Sequence, residues 1–168
     1  MRRFILVLFL ALTATLIRAQ GLDNASNAPS AAQLDQLEQV INANEARNRD
    51  WQRDLDELDE DSLPATISEN NLAAIRVALE QTQSDLTALN NTQASVAQEI
   101  EAARKRSDAL SALLQKQSNP LLDSDDGHSA QTREQLALSQ RHLQLLQRQK
   151  HILAQTETIG NRQKALLE

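Results

Sequence analysis

LAAIRVALEQTQSDLTALNNTQASVAQEIEAARKRSDALSALL, residues 72–114, decides the fold. Its seam runs Leu72, Ile75, Leu79, Thr82, Leu86, Leu89, Gln93, Val96, Ile100, Ala103, Ser107, Leu110 and Leu114. The steps alternate three and four residues without a break. That average, 3.5, sits just under the helical repeat, so one stripe stays turned toward a neighbour while the helix supercoils. No Pro or Gly interrupts the stretch. The spacing predicts a single helix over residues 67–118. Gln93 and Ser107 are polar members that weaken the seam and help to set its register. Glu101 with Lys105 and Arg104 with Asp108 add i,i+4 pairs worth a few tenths of a kcal/mol each.

Upstream, the same rhythm runs through Leu34, Leu37, Ile41, Asn44, Asn48, Trp51, Leu55 and Leu58. Ser30 with Gln33 three residues later has the form of a capping box, so a helix is predicted over residues 30–62. It runs into Asp54, Asp56, Glu57, Asp59, Glu60 and Asp61, then Pro64. Carboxylates oppose the dipole at a helix C-terminus and should weaken its last turn. Downstream, Asn119-Pro120 ends the long helix, and residues 123–129 read as a turn-rich linker. Its ligand spacing does not fit a calcium loop. A third helix is predicted over residues 129–168. Leu138, Leu145, Ile152, Ile159 and Leu166 recur in it every seven residues. Leu136, Leu143, Leu146, Leu153 and Leu167 widen the stripe, as contact with more than one neighbour requires. Gly160 is expected to loosen this helix locally. The fold class expected is all-α: an elongated antiparallel coiled coil of three long helices. Their lengths should be about 50, 78 and 58 Å. Such unequal helices leave apolar surface for another copy or another protein.

The N-terminus supplies an address. Arg2 and Arg3 precede a mostly apolar run over residues 4–17, and Gln20, Gly21, Asp23 and Asn24 follow it. The run spans about 21 Å, short of the roughly 30 Å hydrocarbon core. This is the form of a cleaved secretory signal peptide, residues 1–19, followed by a polar tether, residues 20–29. The chain is therefore expected to be periplasmic or otherwise extracytoplasmic.

Composition excludes more than it assigns. There are 17 basic and 23 acidic residues; without Arg2, Arg3 and Arg18 the balance is 14 against 23, a net charge of −9. A nucleic-acid partner needs a positive footprint and is not expected. The chain has no Cys, three Gly and three Pro, and Trp51 is its only aromatic beyond residue 19. Gly21, Gly127 and Gly160 build no phosphate loop, and no nucleophile elbow is present. His142 and His151 stand nine residues apart, on opposite faces of one helix, and cannot be paired ligands. Both are expected beside the apolar stripe, in a basic surface with Arg141, Arg148 and Lys150. That surface is the natural complement of the acidic tail of the first helix. No catalytic residue, cofactor or metal is expected.

The order of signal, Leu34–Leu58 helix, Leu72–Leu114 helix and Leu136–Leu167 helix resembles the extracytoplasmic N-terminal region of large bacterial mechanosensitive channels. There, long Gln- and Leu-rich helices follow a signal peptide. The resemblance implies a sensory or scaffold segment within a membrane-associated complex. This chain carries no channel domain or pore helix, so it implies no conduction and transfers no functional residue. The function expected is a non-enzymatic coiled-coil scaffold or spacer. An envelope adaptor that activates a cell-wall enzyme, or a periplasmic helical chaperone, is the alternative. A partner is expected to meet the coiled-coil surface that the packing seam leaves uncovered.

Overall fold

Ser30 begins the first helix as a capping box requires. Its backbone N–H donates to Gln33 Oε1 at 2.8 Å, and Gln33 N–H donates back to Ser30 Oγ at 3.3 Å. The first intrahelical bond follows, from Leu34 N–H to the Ser30 carbonyl at 3.1 Å. Two otherwise unpaired donors are satisfied by one residue pair. Ser30→Ala should therefore lower stability by about 1 kcal/mol. A denaturant titration with an unchanged slope and an earlier midpoint is the expected reading.

The computed structural model describes residues 29–57, 69–117 and 126–168. They form α1 (Ala31–Asp56), α2 (Glu69–Gln117) and α3 (Asp126–Leu167). The expected signal peptide, most of the expected tether, Leu58, Pro64 and Asn119-Pro120 lie outside the described residues. The architecture is an all-α three-helix bundle.

Two helix ends differ from the sequence expectation. α1 stops at Asp56, six residues before the end anticipated from periodicity. Its last basic residue, Arg53, pairs with Asp50 at 3.2 Å, and its carbonyl accepts the Glu57 N–H at 3.0 Å. α1 closes at the onset of the acidic run, where carboxylates oppose the dipole. α3 starts at Asp126 rather than at Ser129, so half of the expected linker is helix. Acidic residues are favoured in a first turn, which offsets the presence of Gly127.

Burial recurs every seven residues. On α1 it falls on Leu34, Ile41, Asn48 and Leu55; on α2, on Thr82, Leu89, Val96 and Ala103, with Ala78 and Ser107 beside them. α3 has the widest buried arc. One series is Leu145, Ile152 and Ile159, a second Ser139, Leu146 and Gly160, and a third Thr156 and Gln163. A helix packed on two neighbours needs two buried stripes, which explains the extra leucines. Each fully buried Leu or Ile contributes about 1.5–3 kcal/mol.

Contacts divide the bundle into two units. Among the described residues, one comprises 43–57, 69–93 and 152–168; the other comprises 29–42, 94–117 and 126–151. Each unit takes part of all three helices.

Candidate functional site

In the first unit, a polar layer crosses the apolar interior. Asn48, only 5% exposed, donates from Nδ2 to the Ile152 carbonyl at 3.1 Å and to Thr156 Oγ1 at 2.8 Å. The Thr156 hydroxyl has the Ile152 carbonyl at 2.9 Å and Asn48 Oδ1 at 3.1 Å as acceptors. All of these groups are buried and paired, so the layer avoids the 1–3 kcal/mol penalty of an unmade hydrogen bond, a rough figure per group. It works only when Asn48 faces Thr156, which ties α1 to α3 at one register. Toward the end of α1, Arg162 pairs with Asp56. The partner numbers on α1 and α3 thus rise together in this unit.

On α2 the order reverses. Gln93 Nε2 donates to Glu157 Oε2 at 2.9 Å and lies 3.4 Å from the Leu153 carbonyl, while Leu86 meets Gly160. A Cβ added at Gly160 would stand 2.9 Å from Leu86 Cδ2 and 3.5 Å from its Cγ. Gly160 therefore marks a close approach between helices. It lies within α3, not at a break, which corrects the expectation of local loosening. Gly160→Ala should be nearly neutral. Its helix propensity gains about 1 kcal/mol, and swinging the end of Leu86 away consumes a similar amount. Gly160→Leu should destabilise by about 1–3 kcal/mol through overpacking. Thermal melts of the two variants, read together, check the close approach.

In the second unit, the Arg141 guanidinium donates from one nitrogen to Asp35 Oδ1 and Glu38 Oε2, each at 2.7 Å. Its hydrogen bonds to Glu38 and then to Asp35 raise the arginine pKa above its ordinary value. All three side chains are well exposed, so solvent screens the pair. Of these pairs between α1 and α3, only Arg162–Asp56 of the first unit involves the acidic tail named from the sequence; Asp35 and Glu38 lie near the start of α1.

His142 departs from its sequence placement. It is half-buried, and its Nδ1 is shielded from solvent without a hydrogen-bond partner. Burial, and then the charge of Arg106 on α2, lower its pKa from the ordinary histidine value. His151 is exposed. The reason is register: His142 precedes Leu145 by three, and so belongs to the series that continues through Gln149, Thr156 and Gln163. The polarity of that series hid it, although its spacing from Leu138, Leu145, Ile152 and Ile159 was available to find it. Ser139, fully buried, was missed for the same reason.

The seam residues named from the sequence distribute as follows. Leu34, Ile41, Leu55, Leu89, Val96, Leu145, Ile152 and Ile159 are buried. Leu37, Trp51, Ile75, Leu79, Leu86, Ile100, Leu110, Leu114, Leu138 and Leu166 are half-buried. Leu72 is exposed, because it sits in the first turn of α2, where fewer turns surround it. Trp51 carries the Arg47 guanidinium 6.0 Å from its ring centroid, a contact that covers its outer face.

Among the described residues, no group of three or more His, Asp and Glu is placed to hold a metal ion. No described helix is long and apolar enough to cross a membrane. Comparison with protein-family models, with curated proteins and with solved structures gives no match.

Proposed function

We propose that this chain is a non-enzymatic, extracytoplasmic coiled-coil scaffold or spacer, with α2 antiparallel to α3 and α1 parallel to it. It serves a membrane-associated complex in the manner of the sensory or assembly region of a mechanosensitive-channel-like protein. One observation carries the scaffold: burial recurs every seven residues on each helix, and the buried side-chain bonds of the Asn48 layer join helix to helix. Such a layer specifies register at some expense of stability, its best-attested use in helical assemblies. The location rests on the leader-like sequence of residues 1–19. Large apolar side chains left exposed, Val77 and Leu113 among them, offer contact points to a partner protein.

The test combines location with association. In the native organism, a chain with a C-terminal tag should be accessible to protease in cells whose outer barrier has been opened, and protected when residues 1–19 are deleted. Photo-crosslinkers at Val77 and Leu113 should then trap a discrete membrane-fraction protein. Recovery only from the cytoplasm, or no adduct at either position, would overturn the proposal.

A further inference from the structure

His142 stands apart from the other buried polar groups of α3. Thr156, in the same series, is tied to its neighbours by hydrogen bonds of 2.8–3.1 Å. His142 has no such partner for Nδ1. One turn earlier on the same face, the Ser139 hydroxyl is 1% exposed and also without a partner. Across from them α2 presents Arg106, whose positive charge acts on the imidazole. The carboxylates at this level of α1 are Asp35 and Glu38, and Arg141 already engages both.

These surroundings suit a neutral ring and penalise a charged one. A neutral imidazole places one acceptor and one donor; the imidazolium places two donors. At His142 a donor on Nδ1 would be shielded from solvent with no acceptor in reach, beside a like charge. Relief comes only if the helices part and water enters.

We propose that His142 is a proton-operated latch in the second unit: neutral while α2 and α3 are packed around it, and charged when that packing opens. The latch couples the scaffold to acidification of its compartment within the range where histidine alone among side chains ordinarily titrates.

The sign of the effect follows from linkage. A histidine whose folded-state pKa is lowered contributes its full stability above the unfolded value, ~6.5. That contribution is lost as the pH falls through and below that value. Glu99 lies seven residues before Arg106 on α2, and desolvation raises its pKa. A raised carboxyl works in the opposite direction, stabilising the fold as the pH falls, so it cannot mimic the latch.

Thermal unfolding of the full chain and of His142→Gln, at about pH 7.5 and about pH 5.5, on either side of the ordinary histidine value, tests the proposal. The native chain should lose several degrees of Tm on acidification, and His142→Gln should lose clearly less. Arg106→Gln should shrink the native loss, because it removes the like charge. In parallel, the imidazole of His142 in the intact chain, followed by NMR, should titrate below the ordinary histidine value, ~6.5. Equal Tm losses for the native chain and His142→Gln overturn the latch. So does a His142 titration at or above that ordinary value, and this readout stands even if His142→Gln fails to fold.

Discussion

Leu89→Asp should abolish cooperative thermal unfolding. Leu89 is 1% exposed and belongs to the buried seven-residue series of α2 between Thr82 and Val96. The substitution removes about 1.5–3 kcal/mol of apolar burial. It also places a carboxylate in the buried stripe of α2. Burying an unpaired charge costs more than losing the leucine, so the interior opens or the group takes up a proton. A domain holds only about 5–15 kcal/mol in total, and the two losses together consume most of a typical reserve. Leu89→Ala should cost about 2–5 kcal/mol and keep a cooperative, earlier transition. Leu113→Asp is the control, since Leu113 is 49% exposed and on the same helix. Its effect should stay within about 0.5 kcal/mol. Circular dichroism melts of the three variants decide the matter. A sharp native-like melt for Leu89→Asp would show that the α2 stripe is not the interior.

Asn48→Asp is expected to be the next most damaging change. The native amide uses Nδ2 as a donor to both the Ile152 carbonyl and Thr156 Oγ1. A carboxylate has no donor and faces the carbonyl with like partial charge. The loss should reach about 3 kcal/mol or more at neutral pH. It should also depend on pH with a definite sign. Burial raises the pKa of the introduced carboxyl in the folded state, so stability returns as the pH falls and the group is protonated. Urea titrations at about pH 7 and about pH 4.5, above and near the ordinary Asp value, should show that recovery. Asn48→Leu combined with Thr156→Val removes the layer while leaving no orphan. It should be neutral or stabilising by about 1–4 kcal/mol, the range found when buried polar groups are exchanged for apolar ones. If Asn48→Asp matched the native chain at neutral pH, the layer would not be a buried register lock.

Much of the helical frame was legible from spacing. The described α2, Glu69–Gln117, lies within the span 67–118 expected from periodicity, which no Pro or Gly interrupts. Ser30 and Gln33 were legible as a cap because both partners lie within one turn. Ends governed by charge were harder to place. α1 yields to its acidic run before Pro64 is reached, and α3 starts among aspartates that resemble a turn. Thr156, Gln163 and Ser139 were missed because burial there follows position, while polarity argues for the surface.

The sequence by itself determined that the chain is helical, which face of each helix is apolar, and which charges α1 and α3 have available for each other. These are local properties, set by a period of about 3.5 residues and by neighbours one turn away. Tertiary structure alone decided that Asn48 meets Thr156, that Gly160 is a point of close approach to Leu86, and that His142 lies inward near Arg106. Heptads at one spacing fit one another at many registers. Only the mutual satisfaction of buried polar groups separated far along the chain selects among them, and that requires the helices to be side by side.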